Sequence, residues 1–320
     1  MSSVARRIGK AAAITLIAGT VGGAALLAAE AVVARSRRYA KPGLGLALRT
    51  TVGADTAAPL RLVMLGDSAA LGVGVDRVAD TVGGQLAALL SGGESGKGGP
   101  VQAVALSSVG VAGSRSSDLA TQVARCLLGD RPDVAVILVG GNDAITLRRP
   151  SDAAAYLGAA VRRLREAGVE VVVGTCPDLG AARAIAPPLR QVVGFLGRRV
   201  ARAQVRAVHA AGGAVVDLAA ETGPVFRADP NTLSADRYHP SADGYRVWAY
   251  ALLPAVAHAA GVTPRRPAPP PPPGPAPPGG RRARATPARS FDLPGTCAYL
   301  EPPFAHLPGK SNDLGRTEGG

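Results

Sequence analysis

Residues 60–71 read LRLVMLGDSAAL, and the interpretation of the whole chain turns on them. Leu62-Val63-Met64-Leu65 is an apolar run suited to a strand covered on both faces, and Gly66-Asp67-Ser68 follows where a parallel sheet presents its carboxyl edge. Ligands collect at that edge. A serine hydroxyl on a strand-to-helix turn there is placed to attack a bound molecule, whereas the same tripeptide on a solvated loop is an ordinary turn or helix cap. The tripeptide alone is too common to separate the two readings, so the other strands must.

Apolar runs recur at 101–106, 134–139, 169–175 and 214–218, joining the one at 60–65. All are near-continuous Val/Leu/Ile/Ala stretches, the pattern of strands buried on both faces. Between them apolar residues repeat at helical spacing, as in Leu119, Val123 and Cys126, in Leu157, Val161 and Leu164, and in Leu189, Val193, Leu196 and Val200. Gly168 and Gly212-Gly213 stand where helices should stop. The alternation predicts an α/β fold, a three-layer α/β/α sandwich with a five-stranded parallel sheet. A last helix is expected over 241–260, ending at Gly261 and kinked at Pro254.

The 320 residues, 47% of them apolar, suffice for a large core. The net charge of +13 is unevenly spread: residues 1–50 hold eight basic residues against Glu30, and residues 261–320 hold eight basic against four acidic. Only about +2 is left for the middle of the chain, so the core is not a nucleic-acid binder. Eleven aromatics are also too few for a base-stacking platform. The three cysteines, Cys126, Cys176 and Cys297, lack metal-ligand spacing and include an odd one out, which argues against a zinc site and against a fully paired disulfide framework; Cys126 with Cys176 is the one pairing kept open.

The flanks divide the chain further. Arg6, Arg7 and Lys10 precede nineteen uncharged residues, Ala11 to Ala29, close to the length of a membrane-crossing helix. Residues 1–41 are therefore read as a basic segment with an uncleaved anchor, or alternatively a signal cleaved near Ala29-Glu30-Ala31, and the domain that follows as extracytoplasmic. Residues 42–59 read as a polar linker, 60–261 as the folded domain, 262–289 as a proline-rich basic linker, and 290–320 as a tail with no core of its own.

Two further groups carry chemistry. In Asp236-Arg237-Tyr238-His239-Pro240 the acid three residues before the imidazole can hold one ring nitrogen while the other faces a nucleophile, half of a hydrolytic triad; on its own such a pair is more often a surface turn. Gly140-Gly141-Asn142-Asp143 follows the strand VAVILV, where the Asn142 amide can donate to an oxyanion or simply cap a helix. The loop SSVGVAGSRSSDL after the second strand has glycine bends that turn a backbone N–H toward the same rim. There is no phosphate loop, no dinucleotide fingerprint and no G-x-S-x-G elbow.

Over about residues 60–260 the chain resembles the SGNH hydrolase superfamily, the GDSL esterase/lipase family. Four blocks stand in that family's order: Gly66-Asp67-Ser68, Gly113 in VAGSRSSDL, Gly140-x-Asn142-Asp143, and Asp236-x-x-His239. The resemblance implies a flavodoxin-like layered fold, Ser68 as nucleophile, His239 as general base, Asp236 as its orienting acid, and an oxyanion hole from the N–H groups of Ser68 and Gly113 with the Asn142 amide. Two positions depart from the pattern. Ala69 replaces the usual leucine, and no asparagine precedes Gly113, which leaves Gly110 as an alternative. The activity implied is a serine esterase or lipase acting on an acyl ester of a lipid or acetylated glycan, without metal or cofactor. An acyltransferase with the same residues, or an envelope scaffold without catalysis, are the competing readings. Asp67 is expected to brace the turn, Asp217 is a weaker rival for Asp236, and Pro177–Pro188 is expected to form a lid or a wall of the acyl pocket.

Overall fold

The computed structural model describes residues 23, 25–34, 39–40, 48–54, 58–92, 94–95 and 103–263. The proline-rich segment, the C-terminal tail and most of the expected anchor lie outside the described residues. Among the described residues, no helix is long and apolar enough to cross a membrane.

The strands are β1 (Arg49–Gly53), β2 (Leu60–Gly66), β3 (Ala103–Ser108), β4 (Val134–Leu138), β5 (Glu170–Gly174) and β6 (Ala214–Val216). They form one sheet in the order β1-β3-β2-β4-β5-β6. The five expected strands are all present and mutually parallel. The sheet has six strands rather than five, because β1, within the stretch read as linker, adds an antiparallel edge on β3. β1 alternates exposed and half-buried residues, RTTVG, so it has no continuous apolar run; its signal is β-branched Thr50, Thr51 and Val52 on an edge.

Pleating sends alternate residues of each strand to opposite faces. Leu62, Met64, Val134 and Val136 pack against α1 (Val82–Leu90) and, later in the chain, α7 (Ala242–Ala260), where Leu86, Tyr245, Leu252 and Val256 meet them. Val63, Leu65, Ala135 and Ile137 face the other way, onto α2 (Leu119–Leu127), α4 (Pro150–Glu166) and the end of α5 (Leu189–Ala210). Between α2 and α4 lies the short α3 (Gly141–Ile145), and between β6 and α7 lies α6 (Leu218–Ala228). Helix α6 is not among the expected elements; Gly223 and Pro224 interrupt its helical pattern, and Asp217 starts it by accepting from the Ala220 N–H at 3.1 Å. Helix α7 begins one residue later than expected, capped by Ser241, and ends at Gly261 in the left-handed conformation; it continues through Pro254.

The chain leaves β2 for β3 on one side and returns across it to β4 on the other. The carboxyl end of β2 is thus the switch point of the sheet, where diverging loops open a crevice. Gly66-Asp67-Ser68 sits there.

Candidate active site

The turn carrying Ser68 is fixed from several directions. Gly66 has φ +130°, and a Cβ there would lie 1.8 Å from the Leu138 carbonyl oxygen, so no other residue fits. The Gly66 N–H donates to Gln122 Oε1 at 2.7 Å while Gln122 Nε2 donates back to the Gly66 oxygen at 2.9 Å. The Asp67 N–H donates to the Leu138 carbonyl at 3.0 Å, and Asp67 Oδ1 accepts from the Ala69 N–H at 3.0 Å. The turn closes with the Val73 N–H on the Ser68 carbonyl at 3.0 Å, and the buried Tyr245 hydroxyl donates to the Val73 carbonyl at 2.7 Å. Burial pushes the Asp67 carboxyl up to about 6; the Ala69 N–H and the charge of His239 oppose this, and Asp143 adds to it.

After α6 the chain forms a tight loop ahead of α7. Arg237 adopts φ +58°, a left-handed conformation rare for a side chain of this size, and the Ser234 N–H donates to the His239 carbonyl at 2.8 Å to close the loop. Within it Asp236 is a five-fold acceptor. Its Oδ1 takes the Ser234 hydroxyl at 2.8 Å and the N–H groups of Tyr238 and His239 at 2.8 and 2.9 Å. Its Oδ2 takes His239 Nδ1 at 2.6 Å and the Ala40 N–H at 3.0 Å. Burial alone would raise this carboxyl, but the bond from the imidazole and those from Ala40, His239 and Tyr238 outweigh it and hold the group well below the usual carboxylate range.

His239 Nε2 lies 3.1 Å from Ser68 Oγ. With the proton on Nδ1 facing Asp236, Nε2 is left as the acceptor for the serine hydroxyl. Ser68, His239 and Asp236, 171 and 3 residues apart in the chain, are thus one hydrogen-bonded row. Asp217 is not part of it; its carboxylate caps α6 and meets Thr175 Oγ1 at 3.3 Å.

The other blocks converge on the same rim. Gly140, at φ +128°, leads into α3, and a Cβ there would lie 2.7 Å from Gln204 Nε2. Gln204 is fully buried and clips two strand ends together, accepting from the Cys176 N–H at 2.8 Å and donating to the Val139 carbonyl at 2.9 Å. Asn142 Nδ2 donates to the Ser114 carbonyl at 2.9 Å, which uses one of its two amide hydrogens and leaves the other for the cavity that Asn142 lines. Neighbouring Asp143 is buried and accepts from the Ser116 N–H and hydroxyl at 3.0 and 2.9 Å; burial raises its carboxyl, and these bonds with Arg115 oppose that. Gly113, at φ +82°, lines the cavity with open space around it, whereas the Gly110 N–H is directed to Ser108 Oγ at 3.3 Å.

The cavity has a volume of about 460 Å³ and reaches Ser68 and His239. Its walls are mostly apolar. Leu179, Ala182 and Ile185 from the Pro177–Pro188 stretch line it together with Val193, Leu218 and Phe226. Trp248 also lines it, and its buried indole N–H has no hydrogen-bond partner among the described residues. Ala31, Ala34, Tyr39 and Ala40 complete the lining from outside the expected domain. Cys126 and Cys176 are both buried and free, so they do not pair; burial pushes the Cys126 thiol up to about 11 and Cys176 well above its ordinary value.

Gln122 and Gln204 have no place among the sequence-based expectations, Asp143 has no role of its own there, and the residues before 48 are read there only as anchor and linker, not as part of a site. A lone glutamine on a helix carries no motif, and its only signal is a polar residue at an inward position of a helical repeat, as Gln122 is beside Val123 and Leu119.

A family model described as GDSL-like lipase/acylhydrolase matches residues 64–247. A GDSL-like esterase of Mycobacterium tuberculosis is 43% identical over 202 residues, which are 62% of this chain and 62% of that protein; the chain thus spans less than two thirds of its relative's length. Among solved structures, an acetylxylan esterase from Geobacillus stearothermophilus is 20% identical, with a TM-score of 0.46 over 61% of this chain and 93% of that one. An α/β hydrolase enzyme from the metagenome of Lake Arreo, Spain, is also 20% identical, with a TM-score of 0.48 over 63% and 97%.

Proposed function

Because the chain belongs to the GDSL-like lipase/acylhydrolase family, we propose that it is a serine esterase that cleaves carboxylic esters of an apolar acyl group through an acyl-enzyme on Ser68. The observation that carries this reading is the row Ser68–His239–Asp236, with spacings of 3.1 and 2.6 Å, at the wall of an apolar cavity. The 43% identical relative named as an esterase supports the same reaction class.

Ser68 Oγ attacks the carbonyl carbon as its proton passes to His239 Nε2, and Asp236 stabilises the resulting imidazolium through Nδ1–H. The negative carbonyl oxygen of the tetrahedral intermediate is met by the N–H groups of Ser68 and Gly113 and by the free amide hydrogen of Asn142. Gly113 is preferred over Gly110 because it borders the cavity, whereas the Gly110 N–H already has an acceptor. Collapse breaks the bond to the alcohol, whose oxygen takes the proton from His239. Water then repeats the sequence on the acyl-serine, giving His239 its proton and releasing the acid. Asp67 braces the turn and does not reach the imidazole as Asp236 does. The uncharged stretch Ala11 to Ala29 supports a membrane tether, and the extracytoplasmic side is taken as the setting for this reaction because N-terminal anchors commonly place the following domain there; fractionation and protease protection of cells that express the full chain check both.

The test is labelling of the full chain by a serine-directed fluorophosphonate and hydrolysis of p-nitrophenyl esters. Ser68→Ala is expected to abolish the label and lower kcat by about 10⁶-fold. A wild-type chain that neither labels nor hydrolyses any ester of the series overturns the proposal. Labelling with turnover only when an acceptor alcohol is added moves the reaction from hydrolysis to acyl transfer.

A further inference from the structure

The cavity beside Ser68 is not closed by the hydrolase domain alone. Residues 25–34 are helical, and within them Leu27, Glu30, Ala31 and Ala34 are half-buried while Leu26 and Val32 are 50% and 67% exposed. The half-buried positions recur at three and four residues, so they form one helical face. That face meets the cavity, which Ala31 and Ala34 line, followed by Tyr39 and Ala40.

Three contacts with distant parts of the chain hold this segment in place. Glu30 Oε2 accepts from the Leu189 N–H at 2.8 Å. Leu189 is the first residue of α5, so the carboxylate satisfies a donor that has no partner inside its own helix and sits at the positive end of the helix dipole. The Tyr39 ring packs edge-on against Tyr238 with centroids 5.1 Å apart, and Tyr238 in turn packs on His239 at 5.0 Å. The Ala40 N–H donates to the same Asp236 oxygen that holds His239 Nδ1. Tyr39 is also tied back to the helix, its hydroxyl donating to the Ala34 carbonyl at 2.8 Å. One end of the segment is therefore fixed to the helix that walls the cavity and the other to the acid that orients the imidazole.

We propose that the inward face of residues 25–34, together with Tyr39 and Ala40, is the outer wall of the acyl site, and that the small side chains of Ala31 and Ala34 set the length of acyl chain it admits. The proposal rests on the esterase reading of Ser68 and deepens it. The chemistry of the wall selects the ligand: the methyl side chains of Ala31 and Ala34, lining the same cavity as Leu179, Ile185 and Val193, offer no hydrogen-bond partner, so they suit the methylenes of an aliphatic acyl chain and not a sugar. The wall lies upstream of the family match at residues 64–247, so specificity is set here by residues separate from those that do the chemistry.

The test compares kcat/KM for p-nitrophenyl octanoate and p-nitrophenyl acetate in the full chain. Ala34→Phe and Ala31→Phe extend rings into the cavity and are expected to lower the octanoate-to-acetate ratio by about ten- to a hundredfold, the range over which an apolar pocket reads chain length. Ala34→Val, a smaller increment, is expected to move the ratio in the same direction by less. Val32→Phe, on the outward face, is expected to leave it unchanged. Thermal melts matched to wild type establish that each variant is folded, and Ala34→Val serves if a phenylalanine variant melts early. If the wild type hydrolyses both esters and the ratio is unmoved in the inward variants, or moves equally in Val32→Phe, the wall is refuted and the esterase reading stands. If the wild type neither labels nor hydrolyses, both fall.

Discussion

Asp67 is a carboxyl buried in the turn that carries Ser68, and replacing it is a direct physical test of that turn. Its carboxyl is buried beside Ser68 and stands at about 6 in the folded chain, against an ordinary 3.8. The native state therefore binds this proton more tightly than the unfolded state does, and stability falls as pH rises between the two values. Below about pH 4 both states are protonated and the residue costs almost nothing; above about pH 6 the cost levels off. At about 1.4 kcal/mol per tenfold, the plateau is about 3 kcal/mol, with about half of it already present at pH 5.

Asp67→Asn removes the charge and keeps a carbonyl oxygen to accept the Ala69 N–H. Urea unfolding of wild type and D67N at pH 8 and pH 5 reads the effect together with that of its coupling to His239 and Asp143. D67N is expected to be more stable by about 3 kcal/mol at pH 8 and by about half that at pH 5. A variant that is destabilised at both pH values, or stabilised equally at both, refutes the claim that desolvation governs this carboxyl.

Three other substitutions probe the supports of the site. Asn142→Ala is expected to lower kcat by about a hundred- to thousandfold with little change in KM, the signature of a donor used only in the transition state; steady-state kinetics on p-nitrophenyl acetate decide it, and an unchanged kcat removes Asn142 from the oxyanion hole. Gln122→Leu strands the buried Gly66 N–H and is expected to cost about 1–3 kcal/mol in urea unfolding, together with a lower kcat as the turn loosens; no loss of either would show that the turn holds itself. Tyr245→Phe removes only the hydroxyl that donates to the Val73 carbonyl and is expected to cost about 1–2 kcal/mol with its packing intact, read by the shift in the urea midpoint.

What was legible in the sequence follows from what each element needs locally. Strands β2, β4 and β5 are buried on both faces along most of their length, so their apolar runs stand out from any single stretch. Strand β1 needs only one apolar flank and a partner, and α6 is short with Gly223-Pro224 in its middle, so neither carries a periodic signal of its own. Ser68, Asn142, Asp236 and His239 could be named because their blocks combine a polar reactive group with turn residues at the end of a strand or ahead of a helix. The glycines are part of that signal: Gly66 and Gly140 stand where backbone approaches backbone or a buried amide too closely for a Cβ.

The residues that shape the cavity had no such signal, and the reason is physical. A hydrogen-bonded reactive group tolerates little displacement, so its neighbours are specified residue by residue and leave a motif. An apolar wall requires only volume, which alanine, leucine or valine supplies from any part of the chain, and the hydrophobic effect that holds it is non-directional. Ala31 and Ala34 lie in an alanine-rich stretch that reads as the end of a membrane segment, and Glu30 reads as the acid closing it. The contacts of Glu30 with Leu189 and of Ala40 with Asp236, 159 and 196 residues apart, hold this stretch where Ala31 and Ala34 line the cavity. If the wall proposed above holds, a change of acyl preference needs only exchanges among alanines upstream of the domain, with every motif block left as it is.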